Sequence, residues 1–145
     1  CLRDGGWELA SHSWGHLDLG TVEWDRFQSD TDKWESEVES LIGPTDIILF
    51  PFGADVGDWH PYTMENERFR YLYNAGFRYF CNVDSSQYWV QLGDDYLRQG
   101  RRNLDGYRMW KDITAEAEGR PRKLDDLFRA EDIFDKSRPT PVPEM

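Results

Sequence analysis

The chain has 145 residues, of which 39% are hydrophobic and 31% charged, and it carries a formal net charge of −11. This composition is not that of a disordered chain, and the length suffices for one domain with a hydrophobic core. The negative charge argues against nucleic acid or an anionic membrane as partner, because both attract basic surfaces.

The first predicted element is the end of a helix. Residues 1–6 read Cys-Leu-Arg-Asp-Gly-Gly, which is typical of a last helical turn closed by a glycine. A chain that opens inside a helix indicates a longer protein, so we expect a further segment upstream of Cys1. Alternation over Trp7–Ala10, with its two large apolar side chains on one face, then predicts a short strand.

A pair of histidines follows this strand in a loop. His12 and His16 are two of the three histidines in the chain. Their spacing puts both imidazoles on one side of a helical turn, close enough to share a cation. Such spacing also arises by chance, and the zinc-protease motif is excluded because Ser13 stands where its glutamate would be. Imidazole is the commonest ligand of zinc-like metals, so the pair predicts a divalent metal site, with zinc as the expected ion.

A long helix and a buried strand come next. Thr21 can cap a helix that runs to about Ile42 and ends at Gly43-Pro44. One apolar stripe is expected along it, formed by Trp24, Phe27, Trp34, Val38 and Leu41. Residues 46–50 form a nearly unbroken apolar run, as expected for a strand that helices cover on both faces. No apolar run reaches the length of a membrane span, so no transmembrane segment is predicted.

These elements predict a parallel α/β unit with its functional loops beyond the strand ends. The loop over residues 51–61 is rich in proline and glycine and can aim a backbone N–H toward a bound metal. Without the histidine pair, an ordinary Pro/Gly turn explains the same pattern. His60 lies on this loop and can reach the site, but a lone loop histidine is more often a solvated side chain.

A second helix and strand follow. Residues 65–75 predict a short helix closed by Gly76. Alternation then predicts a strand over Phe77–Asp84. One face of this strand is expected to carry Phe77, Tyr79, Cys81 and Val83. Cys81 is therefore expected to be a small buried hydrophobe, and two cysteines in the chain are too few for a disulfide framework or a Cys-x-x-Cys metal site.

The C-terminal third gives weaker patterns. Residues 97–109 carry four arginines and a turn-forming Asn-Leu-Asp-Gly stretch, which favours a solvated hairpin, with a substrate-facing loop as the alternative. Apolar residues between Leu124 and Phe134 predict one or two short amphipathic helices. Residues 137–145 read as a proline-rich tail. A single α/β domain is thus predicted over residues 1–136.

Two segments resemble motifs of the polysaccharide deacetylases, carbohydrate esterase family four. Glu8–Leu19 is similar to the stretch around that family's His-Ser/Thr-x-x-His motif. Phe50–Gly53, read Phe-Pro-Phe-Gly, resembles its Arg-x-Pro-Tyr-Gly motif in the variant that lacks the arginine. The likeness covers most of the chain from Cys1 to about Trp89.

Other motifs of the family match less well. Asp84 corresponds to the first aspartate of the fourth motif, but Gln87 stands at its second aspartate. That second carboxylate normally orients an arginine, which is also absent at Leu49, so neither charge is left without its partner. The family's last motif contains a general-acid histidine and has no counterpart, since no histidine follows His60.

The resemblance implies part of a distorted (β/α) barrel of the polysaccharide deacetylase type, with its first strand or strands missing. The implied activity is metal-dependent hydrolysis of N- or O-acetyl groups on an acetylated polysaccharide, in a secreted or cell-envelope protein. Two aspartates in the missing N-terminal segment would supply the base and the third metal ligand. The implied site comprises His12 and His16 as metal ligands, the Phe52 backbone N–H as oxyanion donor, Asp84 as a catalytic residue, and Pro51, Trp14, Trp59, Tyr88 and Trp89 as substrate contacts.

Two other interpretations belong to different functional classes. The chain can be a degenerate relative that binds glycans without hydrolysing them, because several catalytic groups of the family are missing. Its aromatic side chains would then stack on sugar rings. Alternatively, it is a structural domain whose histidines bind no metal.

Overall fold

The computed structural model describes residues 2–58, 60–83, 89–102, 104–135 and 137. The described chain is mixed α/β and divides into two compact units, Cys1–Arg101 and Arg102–Met145. Each unit is described by itself, and the single domain over residues 1–136 stays a prediction. The proline-rich stretch after Ser137 lies outside the described residues. In the part that is described, no helix is both long enough and apolar enough to cross a membrane.

The first unit is built on a four-stranded mixed sheet in the order β1-β2-β4-β3. The strands are β1 (Ile47–Leu49), β2 (Tyr79–Val83), β3 (Trp89–Leu92) and β4 (Leu97–Arg101). β1 and β2 are parallel, as are β2 and β4, whereas β3 pairs antiparallel with β4. The connection from β1 to β2 contains a helix, and the predicted α/β class is confirmed.

The chain enters this unit through a short turn. Arg3–Gly5 forms a 3₁₀ turn that ends at Gly6, whose φ of 83° is the left-handed value expected of a glycine cap. The strand predicted over Trp7–Ala10 is wrong, and Trp7 is 66% exposed. Backbone pairing begins only at Ser11, which forms a single parallel bridge with Ile48. One bridge still fixes the start of the histidine loop against the edge of the sheet.

The first long helix consists of three segments. They are α1 (Trp24–Lys33), a π-helical stretch (Trp34–Glu39) and α2 (Ser40–Ile42). The predicted Thr21 cap is wrong, because Asp18 accepts the N–H groups of Gly20 and Thr21 in a turn before the helix starts. The π stretch shifts the register of the apolar stripe, and Leu41 at its far end is 83% exposed.

Apolar side chains of the sheet and helices meet in one core. The other helix of this unit, α3 (Glu67–Asn74), begins at Asn66, whose side chain accepts the Phe69 N–H at 2.9 Å. The core cluster of this unit is formed by buried apolar side chains: Leu19, Phe27, Trp34, Ile48, Phe50, Val56, Tyr62, Phe69, Leu72, Phe77 and Phe80. This core holds β1 and β2 in place, and the candidate site lies in the loops that follow Ser11 and β1.

Two expectations about the later strands need correction. On β2 the fully buried face carries Phe80 and Asn82, while Tyr79 and Val83 are exposed, so the predicted alternation is wrong except for the buried Phe77 and Cys81. The solvated hairpin over residues 97–109 is wrong as well. Arg98 lies on a strand inside the sheet and is 3% exposed, because a buried carboxylate pairs with it.

The second unit contains two helices. α4 (Gly106–Ala115) is capped by Asp105, which accepts the Arg108 N–H, and α5 (Ala130–Ile133) is short. The buried Asp112 carboxylate on α4 accepts the N–H groups of Lys123 and Leu124, which lie between the two helices, at 2.7 and 3.1 Å. The predicted short helix near Phe134 is thus confirmed, whereas α4 was not predicted.

Candidate metal centre

The two motif histidines lie side by side at the surface. The ring centroids of His12 and His16 are 4.9 Å apart, and the rings meet edge to face at 74°. His12 Nδ1 lies 2.6 Å from the Leu49 carbonyl oxygen at the end of β1, and Nδ1 must donate because a carbonyl only accepts. This leaves His12 Nε2 as the nitrogen that could bind a metal, and metal-binding histidines usually show this arrangement.

The histidine loop has a strained backbone. Ser13 and His16 have positive φ values of 61° and 51°, a region that costs about 1–2 kcal/mol for a residue with a side chain. The Ser13 hydroxyl accepts the Leu17 N–H at 3.3 Å and so closes the loop. Strain of this kind persists only where surrounding contacts hold it, and it concentrates at functional sites.

A second strained turn lies against the first. Phe52, in the 3₁₀ turn Pro51–Gly53, has a φ of 59° and a ring that is 75% exposed. Its ring centroid is 4.7 Å from that of His16. A Cβ on Gly53 would lie 2.9 Å from the Val83 carbonyl oxygen, so only glycine lets the turn approach the end of β2 this closely. His12, His16 and Phe52 therefore come together from two loops.

Substituting Phe52 tests this turn directly. We expect Phe52→Gly to have a free energy of unfolding about 1 kcal/mol higher than Phe52→Ala, because glycine alone adopts a positive φ without strain. Urea denaturation of the two variants measures the difference. The same pair at Ser29, exposed within α1, should give the opposite sign, since alanine is the better helix former. An alanine variant as stable as the glycine variant at position 52 would contradict the strained turn.

Helix α1 anchors the loop between the histidines. The Asp30 carboxylate accepts the backbone N–H of Trp14 at 3.0 Å and that of Gly15 at 2.6 Å. Hydrogen bonds to a charged group contribute about 1.5–3 kcal/mol each, enough to offset the strain at Ser13 and His16. Asp30 is only 4% exposed.

The aromatic residues predicted to contact substrate occupy different environments. The half-exposed Trp14 donates its indole N–H to Glu37 at 2.9 Å, and the Lys33 ammonium lies 4.5 Å from its ring centre. Trp89 is half-buried on β3, with the Arg98 guanidinium 4.5 Å from its ring. Pro51 is buried in the turn beside Phe52. The predicted residues Trp59, Asp84 and Tyr88 lie outside the described residues.

His12 and His16 would fill two positions of a metal site. The two imidazoles lie edge to face, and Nδ1 of His12 is hydrogen-bonded to a carbonyl, as is usual for metal-binding histidines. Zinc sites in enzymes use three protein ligands. Within the described ranges, no three side chains of His, Cys, Asp or Glu come together as a candidate ligand set. The described residues thus contain the histidine pair without a third ligand beside it.

A buried ionic network lies in the same unit, in the segment that follows the Phe52 turn. Asp55 accepts hydrogen bonds from Tyr62 Oη at 2.7 Å, Asn82 Nδ2 at 2.9 Å, Arg98 Nε at 3.1 Å and Arg98 Nη2 at 2.6 Å. Arg98 is also 4.4 Å from the Tyr62 ring centre. Burial and the neighbouring Asp55 charge raise the pKa of Tyr62 well above its usual value. The network fixes Asp55 and Tyr62 against the sheet.

Sequence reasoning missed both Asp30 and Arg98. A signal for Asp30 was present, since it and Thr31 fall three and four residues after Phe27, on the stripe expected to be apolar. A charge at such a position needs a buried partner. No comparable signal marked Arg98 as buried, because β4, the strand that carries it, was not predicted.

The likeness to polysaccharide deacetylases therefore rests on the two motif segments, which the fold brings together at one surface. The comparisons with known proteins add no further support. Neither a protein-family model, nor a curated protein, nor a solved structure matches the chain.

Proposed function

We propose that this chain is part of a metal-dependent deacetylase that removes N- or O-acetyl groups from a polysaccharide. The observation that supports the proposal is the His12–His16 pair, with ring centroids 4.9 Å apart beside the strained Phe52 turn. We further propose that the mixed sheet is a portion of a distorted (β/α) barrel and that the protein is secreted or held in the cell envelope.

Each residue has a distinct task in this proposal. His12 and His16 hold a divalent ion, with zinc as our choice. When bound, that ion supplies Lewis acidity and an acidified water. The Phe52 backbone N–H donates a hydrogen bond to the oxygen that becomes negatively charged as the acetyl carbonyl is attacked. Pro51 fixes the turn that carries this donor. The base and the third ligand would come from residues outside the described ones, among which Asp84, the residue that follows β2 in the sequence, is a candidate.

A glycan-binding protein without catalysis is the second candidate. It is favoured by one observation, that the described residues provide two imidazoles and no third ligand beside them. Trp14 would then offer the ring face away from Lys33 to a sugar.

Metal content and acetate release together test the proposal. The full-length protein should retain about one zinc per chain after dialysis and release acetate from an acetylated chitooligosaccharide or from peptidoglycan. Retention on the immobilised glycan without acetate release would favour the binding protein. Absence of both metal and glycan affinity would contradict both candidates.

A further inference from the structure

We infer that Asp30 is a positioning residue for the proposed metal site. Its carboxylate holds His16 beside His12 through the backbone between them. The inference rests on the proposed function only for its metal readout, because the geometry can be tested without metal. Asp30 lies on α1, 15 residues after Gly15 in the chain, and its carboxylate contacts the histidine loop directly.

The contact uses both carboxylate oxygens. Oδ2 accepts the Trp14 N–H at 3.0 Å, and Oδ1 accepts the Gly15 N–H at 2.6 Å. A carboxylate that is 4% exposed needs such donors, and two backbone amides in succession also fix the direction of the peptide planes that carry them. Asp30 thereby sets the path of the chain between the two histidines.

The path that Asp30 sets is not one the loop would adopt by itself. Ser13, before the two anchored amides, and His16, after them, both have a positive φ. Without the carboxylate, relaxation of either residue toward negative φ would rotate the His16 side chain away from His12. The 4.9 Å separation of the two rings therefore depends on a residue that contacts the backbone between the two histidines.

The fit between loop and helix is close at one residue. A Cβ added to Gly15 would lie 2.9 Å from Asp30 Oδ1, a distance that a real Cβ does not tolerate. Gly15→Ala must therefore displace the carboxylate or the loop while leaving every charge in place. It offers a second way to break the anchor, independent of the change in charge that Asp30→Asn brings.

Asp30 is a positioning residue rather than a third ligand. Both of its oxygens are used by backbone amides, and within the described ranges it forms no ligand group with the two histidines. Its effect on metal binding is thus expected to match that of outer-shell partners, whose loss lowers metal affinity about 10–100-fold.

The test compares Asp30→Asn and Gly15→Ala with Asp25→Asn in the full-length protein. Asp25 is exposed on the same helix, so its variant makes the same charge change without touching the loop. Zinc affinity is measured by competition with a chelator. The proximity of the imidazoles in the metal-free protein is measured by nuclear Overhauser effects between the His12 and His16 ring protons. Thermal unfolding of each metal-free variant identifies any that do not fold.

We expect Asp30→Asn and Gly15→Ala to lose the ring-to-ring signal and about 10–100-fold in zinc affinity, while Asp25→Asn stays within about twofold of the unaltered chain. Should Asp30→Asn fail to fold, Gly15→Ala decides the question. Persistence of the ring-to-ring signal in the folded variants, or an equal loss of affinity in Asp25→Asn, would overturn the inference. If the unaltered protein binds no zinc but the signal still depends on Asp30, the proposed function fails and the positioning role stands.

Discussion

Replacing either His12 or His16 by alanine is expected to lower zinc affinity by more than about 100-fold and to reduce acetate release to a similar extent. The expectation follows because loss of a direct ligand costs more than loss of an outer-shell partner, which already costs about 10–100-fold. Chelator competition measures the affinity, and an assay of released acetate measures the activity.

His60→Ala is the matched control for both substitutions. His60 is the third histidine of the chain, exposed on the loop after β1. His60→Ala should keep zinc affinity and acetate release within about twofold of those of the unaltered protein. Replacing an exposed side chain outside the metal site usually has little effect. If His16→Ala bound zinc as tightly as His60→Ala, the shared site would be excluded. If only His60→Ala lost zinc, the metal would be bound by His60 and not by the His12–His16 pair.

The second large effect concerns the buried ion pair. Arg98→Met is expected to lower the free energy of unfolding by about 3–5 kcal/mol, because it leaves the Asp55 carboxylate buried without its cation. The side chains of Arg98 and Asp55 are 4% and 1% exposed, and their closest atoms are 2.6 Å apart. Urea denaturation, followed by the fluorescence of the seven tryptophans, measures the change.

Arg26→Met provides the comparison for this measurement. Arg26 is exposed on α1, and a surface substitution of this kind usually changes stability by no more than about 0.5 kcal/mol. A loss at Arg98 as small as that at Arg26 would show that Asp55 does not depend on the arginine. The hydrogen bonds that Tyr62 and Asn82 donate to Asp55 would then be sufficient to stabilise its buried carboxylate.

Helices with strong periodic patterns were predicted well. The long helix ends near Ile42 as expected, and its glycine stop at Gly43 has a positive φ of 81°. Helix α3 falls within the predicted residues 65–75. Such elements are readable because the spacing of apolar residues and the end signals both lie within the element itself.

Strands and their faces were predicted less well. The Trp7–Ala10 alternation formed no strand, since a strand needs a partner along its length and only Ser11 finds one, at Ile48. The buried face of β2 was misassigned because Asn82, a polar residue, is completely buried through its bond to Asp55. Whether a strand forms and which face it buries thus depend on partner residues that lie far away in the sequence.

The candidate site, too, was only partly predictable from the sequence. The spacing of His12 and His16 and the Pro-Phe-Gly turn were visible in the sequence. Their proximity was not, because it depends on β1 lying beside Ser11 and on the left-handed backbone of Phe52. The resemblance to a deacetylase motif supplied an expectation for that proximity, which periodicity alone cannot give.

By itself, the sequence determined the α/β class, the helices of the first unit, the negative net charge and the spacing of the histidine pair, because these follow from local periodicity and composition. The tertiary structure decided what holds the pair together. Asp30 reaches the loop across 15 residues and Arg98 reaches Asp55 across 43, and hydrogen bonds between such distant residues exist only once the chain has folded. A buried charge must find its partner wherever the fold places one, and no local pattern records that position.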